Sequence, residues 1–240
     1  MLMLNGKVAI ITGSAGALGS AVTRTFLEND AKVVALYHSD EKFNRLCETL
    51  GELDKRLYGV KGDATSIKDC EMLAQKTIDE YGKVDILVNI VGGWSGGKTL
   101  EKTDDETWDK MMDLNAKSVF LCCKAVLPSM IEKNYGKIVN ISAKSSTREG
   151  RMKNSSVYAA SKGAVRVLTQ AMAEELKDKD INVNCVMPST IDTEDNRKMM
   201  PRADFSKWVP PRQIAETILF LCSDKSDDIK GACIPVFGKS

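Results

Sequence analysis

Histidine is nearly missing from this 240-residue chain, with His38 its only example. A metal site built on imidazoles needs several of them, and a Ser-His-Asp triad needs one held between two partners. One histidine beside a turn supports neither, so no metal is expected. The seven cysteines (47, 70, 122, 123, 185, 222 and 233) form no CxxC pair, and their number is odd. That argues against a zinc ribbon and against a disulfide framework. Cys122 and Cys123 sit together in an apolar stretch, where buried, reduced thiols are the simplest reading. No apolar run approaches 18 residues and no leader pattern opens the chain, so we expect a cytoplasmic protein without a membrane partner. Neither charge dominates: 34 Lys and Arg face 33 Asp and Glu, for a formal net charge of +1. No nucleic-acid partner is expected from such a balance.

What the chain does have is a regular alternation. Apolar residues make up 43% and charged residues 28%, enough for an ordinary globule with a sizeable core. Short β-branched runs are expected as strands at Val8–Thr12, Lys32–Tyr37, Leu57–Lys61, Ile86–Ile90, Lys137–Ser142, Asn182–Met187 and Cys233–Phe237. Amphipathic helical patterns lie between them at Leu18–Glu28, Glu41–Leu50, Ile67–Tyr81, Thr107–Asn134, Val157–Lys179 and Pro211–Leu221. The strands read as continuous apolar runs, as in a sheet covered on both faces. The expected fold is α/β: a doubly wound, Rossmann-type parallel sheet of about seven strands in one domain spanning residues 1–240. Two long segments, 143–156 and 189–209, follow the carboxyl ends of strands and are expected to be substrate loops.

The first strand runs straight into Thr12-Gly-Ser-Ala-Gly-Ala-Leu-Gly19 and then a helix. Glycines let such a turn curl against a pyrophosphate, and the helix N-terminus offers free N–H groups to the anion. Gly13, Ser14, Ala17, Leu18 and Gly19 are therefore candidate cofactor residues. The end of the second strand carries Tyr37 and His38 where an NAD-selective site places an acid for the ribose 2′-hydroxyl. With no acid at Tyr37, repulsion against a 2′-phosphate is absent, which favours NADP over NAD; His38 could bond that phosphate or be a solvated loop residue.

Tyr158 and Lys162 stand four apart at the start of a helical stretch, on one face and about one turn from each other. A free tyrosine titrates near pKa ~10, too high for easy proton exchange at neutral pH. A neighbouring ammonium favours the phenolate, and each tenfold gain in acidity takes about 1.4 kcal/mol of that attraction. Such a pair can protonate a developing alkoxide or take its proton back.

Together these motifs resemble the short-chain dehydrogenase/reductase family, and the resemblance covers essentially the whole chain. The TGxxxGxG turn is matched with Ala17 for the middle glycine, and Gly16 holds a site often basic in NADP users. The resemblance implies that Asp63 and Ala64 meet the adenine ring and that Asn89 and Gly92 form the turn after the fourth strand. It further implies that Lys162 grips the nicotinamide ribose, that Asn115 is a helix-breaking residue holding a relay water, and that Pro188 and Thr193 contact the nicotinamide. It implies a small-molecule substrate and a homo-tetramer or homo-dimer through the helices at Thr107–Asn134 and Val157–Lys179.

The pattern breaks at the substrate serine. Asn140-Ile-Ser-Ala143 puts Ala143 where the family ends its fifth strand with a second serine, and Ser142 should face the other side of the strand. Losing a positioned donor to a developing oxyanion typically costs about 2.7–4 kcal/mol. Either Ser145 or Ser146 replaces it, or the substrate does not need it. Gly92-Gly-Trp-Ser-Gly-Gly97, the Ala143-Lys144 pair and the segment from Ile191 to Trp208 resemble the dihydropteridine reductase branch, which reduces a conjugated C=N system. The middle of the chain is more similar to 3-oxoacyl-carrier-protein reductases. The expected activity is therefore hydride transfer between NAD(P) and a small carbonyl of 3-oxoacyl type; the alternatives are a quinonoid pterin or a catalytically weak cofactor-binding sensor. Trp94 and Trp208 are candidates to stack on a flat substrate.

Overall fold

A computed structural model describes residues 2–150 and 152–239 of the chain. Seven strands form one wholly parallel sheet: β1 (Val8–Thr12), β2 (Lys32–Tyr37), β3 (Leu57–Lys61), β4 (Ile86–Asn89), β5 (Gly136–Ile141), β6 (Ile181–Pro188) and β7 (Cys233–Val236). Their order across the sheet is β3-β2-β1-β4-β5-β6-β7. The chain builds outward from β1 to β3, then returns to lay β4 on the other side of β1. That reversal opens a crevice at the carboxyl ends of β1 and β4, where sheets of this kind bind ligands.

The helices are α1 (Ala17–Glu28), α2 (Asp40–Leu50), α3 (Ile67–Tyr81), α4 (Asp105–Met111), α5 (Ser118–Lys133), α6 (Ser156–Glu175), α7 (Glu194–Met199) and α8 (Pro211–Leu221). Their starts follow local chemistry: Ser39, Ser66 and Asp104 each accept a bond from the backbone N–H three residues on, capping α2, α3 and α4. Strand alternation feeds two cores. Ala9, Ile11, Val88 and Val186 pack under α1 and α8, with Phe26 and Ile218 filling that layer. Ile10, Leu87, Ile138 and Val183 face the other way, toward α3, α5 and α6.

Strand positions follow the sequence expectation to within a residue at either end, because both faces are apolar along every central strand. Besides α6, which ends at Glu175 where the expectation ran to Lys179, two helical features differ. The stretch expected as one helix over 107–134 is helical from Asp105 to Lys133, with a π-turn at Met112–Lys117. Asn115 therefore does not break the helix; an extra residue in the turn rotates its side chain inward while the helix continues. This continuous 29-residue helix is long and apolar enough by composition to cross a membrane, with Lys117 and Lys124 placed within it. Its apolar face is spent on the sheet, where Val119, Cys122, Cys123, Val126 and Met130 join the α3/α5/α6 core. The second difference is α7, six residues inside the expected 189–209 loop, which lacks the apolar periodicity that marks longer helices.

A polar ladder crosses the second core. The Asn89 amide donates to Asn140 Oδ1 at 2.9 Å, and Asn140 Nδ2 donates to Thr169 Oγ1 on α6 at 2.9 Å. All three residues are buried. Removing the middle member strands two partners away from water, at about 1–3 kcal/mol for each unsatisfied group. Asn140→Ala is expected to lower unfolding stability by roughly 2–4 kcal/mol in urea denaturation, whereas Asn140→Asp at neutral pH is expected to cost more because it also buries a charge.

Candidate active site

The crevice is lined first by the turn after β1. Gly13 adopts φ +67°, and a Cβ there would lie 3.1 Å from Val91 N. Gly19 is more constrained, since a Cβ on it would lie 2.0 Å from Gly13 O. The glycines thus let α1 start directly against the turn. Gly16 is the N-cap of α1 and offers no side-chain cap, and no acid occupies the first turn. The N–H groups of Ala17 and Leu18 consequently face the crevice mouth without intrahelical acceptors, as a diphosphate requires. Ala17 is exposed and its methyl sits on this rim. Leu18 is buried in the core, and Ser14 is fully buried with its hydroxyl donating to Leu36 O at 3.4 Å. Both can address a ligand only through their backbones.

Opposite this cradle, Thr12 ties β1 to the chain leaving β4. Its Oγ1 accepts from Ile90 N at 3.0 Å and from Val91 N at 3.2 Å. Gly92 follows, and it must be glycine: a Cβ there would come within 2.8 Å of Asn115 Oδ1 and 3.1 Å of Lys162 Nζ. Asn115, fully buried, grips the next peptide from both sides. Gly93 N donates to its Oδ1 at 2.9 Å, while its Nδ2 donates to Gly93 O at 3.1 Å and Ser161 Oγ at 3.0 Å. The structure therefore brings Gly92, Asn115 and Lys162 together at one point. The side chain of Asn89 is not among them, being turned toward Cys123 and Asn140 in the core.

Lys162 is 5% exposed, and its Nζ donates to Ile141 O at 2.8 Å at the end of β5. Burial lowers its pKa to about 8, and burial likewise raises that of Tyr158 to about 12. The expected lowering of the phenol by the ammonium is not present in this arrangement, because the lysine is aimed at a carbonyl. Tyr158 Oη has no hydrogen-bond partner among the described residues. Ser142 does turn away as strand alternation requires, donating to Lys162 O at 2.7 Å. Ala143 is buried at the strand end with no donor to offer. Of the two serines after it, Ser146 is engaged with Ser142 Oγ at 3.0 Å and Ala143 O at 2.7 Å. Ser145 Oγ is buried without a partner.

The outer residues divide. Thr193 caps α7 by accepting from Asn196 N at 3.2 Å, which leaves its hydroxyl proton free to donate. Pro188 ends β6. Trp94 is exposed at the mouth, while Trp208 is buried on Phe205 with ring centroids 4.7 Å apart, so only Trp94 offers a face. Arg151, within the loop at 143–156, lies outside the described residues. Tyr37 stacks on Phe43 of α2 at 4.1 Å, and His38 is exposed beside it. Asp40, the nearest acid, is paired with Lys61. Asp63 accepts from Thr65 N and Oγ1, both at 2.8 Å, and Ala64 is buried. Sequence reasoning passed over Thr12, Ser161 and the Ile141 carbonyl. The first two lie inside the quoted motifs, but their roles depend on contacts with segments 46 to 79 residues away.

Comparison with known proteins agrees with this geometry. A profile of the short chain dehydrogenase family matches residues 7–203. The chain is 32% identical over 243 residues to the (2S)-[(R)-hydroxy(phenyl)methyl]succinyl-CoA dehydrogenase subunit BbsD of Thauera aromatica, covering 98% of this chain and 96% of that one. It is 32% identical over 249 residues to the 3-oxoacyl-acyl-carrier-protein reductase FabG of Thermotoga maritima, covering 99% and 98%. The crystal structure of carveol dehydrogenase from Mycobacterium avium in complex with NAD superposes with a TM-score of 0.89 at 25% identity, covering 100% of this chain and 99% of that chain. The chain belongs to the short-chain dehydrogenase family. It is an NAD(P)-dependent oxidoreductase by that membership, and the glycine cradle fits such a dinucleotide.

The buried lysine has a measurable consequence. Between pH 8 and 10.5 the unfolded chain binds more protons at Lys162 than the folded one, so stability rises with pH across that window. Below it the full cost of holding the charged form out of water is present, about 3 kcal/mol. Urea denaturation of the wild type from pH 7 to 10 should show this rise, and Lys162→Met should flatten it.

Proposed function

We propose that the protein is an NADP(H)-dependent reductase of a small carbonyl of 3-oxoacyl type, with Tyr158 as proton donor. The observation that carries this reading is the convergence of Lys162 and Asn115 on Gly92, one helical turn from a phenol with no competing partner. When bound, the nicotinamide supplies the hydride. Tyr158 Oη supplies the proton to the developing alkoxide. At a pKa near 12 the phenol exchanges protons too slowly for neutral-pH work, so Lys162 must swing from Ile141 O toward it. Asn115 holds the Gly93 peptide and Ser161 in place beneath them, which positions the α6 face on which both residues stand. Pro188, at the tip of β6, and Thr193, after its end, are assigned to the nicotinamide amide; Asp63 and Ala64 are assigned to the adenosine side, and Gly92 to the nicotinamide side beside Lys162.

Ser145 is assigned as the donor that replaces the missing hydroxyl at Ala143, since its own is buried and unpartnered while that of Ser146 is engaged. NADP is preferred over NAD because no free acid faces the ribose: Tyr37 is turned onto Phe43 and Asp40 is neutralised by Lys61. Exposed Trp108 and Phe120 on α4 and α5, and Val167 on α6, support a homo-oligomer through those helices. A cytoplasmic location accords with seven free cysteines. A second reading, reduction of a quinonoid pterin, draws on Ala143 and on the exposed face of Trp94, because a conjugated C=N group needs less oxyanion stabilisation.

Tyr158→Phe is expected to abolish NADPH oxidation with β-keto thioesters while leaving cofactor affinity nearly unchanged by fluorescence titration; retained turnover overturns the assignment. Ser145→Ala is expected to cost about 2.7–4 kcal/mol in kcat/KM on a keto substrate, and much less on a quinonoid dihydropterin. Equal losses on both would remove the pterin alternative's rationale. His38→Asp is expected to shift the ratio of NADP to NAD affinities toward NAD.

A further inference from the structure

Two pairs of thiols are neighbours in this fold, and their surroundings differ. Cys70 on α3 and Cys122 on α5 hold their sulfurs 3.5 Å apart, but both are buried. The contact between them pushes the Cys70 thiol down and the Cys122 thiol far up, and what keeps this pair from an oxidant is that neither sulfur reaches solvent. The second pair is Cys185 on β6 and Cys233 on β7, which are register partners in the parallel ladder. Val186 and Ile234, one residue on in each strand, belong to the α1/α8 core, so alternation turns both cysteines to the α6 face. Cys185 is fully buried and Cys233 is partly exposed. Arg166 of α6 reaches this spot with its Nε buried and without a hydrogen-bond partner. The Cys185 S–H and the Arg166 charge bring the Cys233 thiol down to about 7. The remaining partly exposed cysteine, Cys47, is instead pushed up by burial.

The position of β7 makes this pair consequential. It is a four-residue edge strand, and register partners on adjacent strands stand about 4.8 Å apart, within the Cα range a disulfide accepts. Its far end fastens both loops beside the catalytic residues. Ser189 N donates to Val236 O at 3.1 Å and Ser189 Oγ to Phe237 O at 2.8 Å. Lys239 N donates to Lys207 O at 3.2 Å, and Lys144 Nζ lies 4.7 Å from the centre of the Phe237 ring.

We propose that Cys185 and Cys233 are a peroxide-oxidisable dithiol whose closure into a disulfide draws β7 onto β6 and resets the loops at 144–150 and 189–209. The Cys233 thiolate attacks one oxygen of hydrogen peroxide, breaking the O–O bond; the departing hydroxide is protonated to water and a sulfenic acid is left. The Cys185 sulfur then attacks that sulfur, the S–O bond breaks, and the Cys185 proton leaves with the hydroxide as a second water. Two thiols are oxidised and one peroxide is reduced. A dithiol reductant reverses the change by exchange.

The test needs no substrate, so it stands or falls apart from the reductase reading. The full chain is treated with equimolar hydrogen peroxide, digested without reductant and mapped by mass spectrometry, with amide hydrogen exchange followed in parallel. The expected result is a cross-linked peptide pair joining 185 to 233, lighter by two hydrogen atoms. Altered exchange at 144–150 and 189–209 should accompany it, and dithiothreitol should reverse both. Cys233→Ser should lose both effects, and Cys122→Ser should keep both. A bridge at 70–122 instead, no bridge at all, or a loop response that survives in Cys233→Ser overturns the proposal.

Discussion

The site depends on the burial of one ammonium group. Lys162 stands almost out of reach of water, its Nζ on the Ile141 carbonyl, at a point where the end of β5, the turn after β4 and the π-turn of the long helix meet. A charge removed from water is costly unless its neighbours answer it. Around this lysine the answers are a strand-end carbonyl, a glycine that yields space, and an asparagine whose amide is already committed to the Gly93 peptide. The cost is borne by the packing of two cores against a fully parallel sheet. In return, a cation with a pKa near 8 is stored one helical turn from a phenol near 12. Burial moves both groups away from their ordinary values, and the proposed reaction needs the two brought together.

The other end of the crevice is governed by close approach rather than charge. Gly13 and Gly19 allow α1 to begin against the β1 turn, where a single methyl on Gly19 would collide with the Gly13 carbonyl. Thr12 then fixes the gap between that turn and the chain leaving β4. Crevice width is thus set by the Thr12 hydroxyl gripping a segment distant in sequence and by the close backbone approach at the glycines. The Tyr158–Lys162 end of the crevice and its glycine-turn end are two ends of one frame, joined through segment 90–93.

Much of the fold was legible in the sequence because its signals are redundant. The central strands are largely apolar on both faces, and the long helices carry their own period, with side-chain caps opening α2 and α3. The Tyr158–Lys162 spacing and the glycine turn were legible for the same reason, since short local patterns place their own side chains. What the sequence hid are contacts made at long range. Asn89 reads as a turn residue at the site, yet its amide closes a ladder with Asn140 and Thr169. Trp208 reads as a stacking platform but fills a gap against Phe205. Asn115 reads as a helix breaker, whereas an added residue in the turn lets the helix persist and still aims the amide inward. The six-residue α7 has too few turns to show a period. The choice between Ser145 and Ser146 rested on which hydroxyl was already engaged, a fact of packing alone.

In the proposed reaction, Tyr158 becomes an acid of useful strength only when Lys162 leaves the Ile141 carbonyl for it. An ultraviolet tyrosinate titration, taken as the difference between wild type and Tyr158→Phe, reads that ionisation directly with and without oxidised NADP. The expected result is a Tyr158 midpoint near 12 for the protein alone and a clearly lower one with the dinucleotide bound, the lowering being lost in Lys162→Met. A midpoint unmoved by the dinucleotide, or one lowered equally in Lys162→Met, would contradict it.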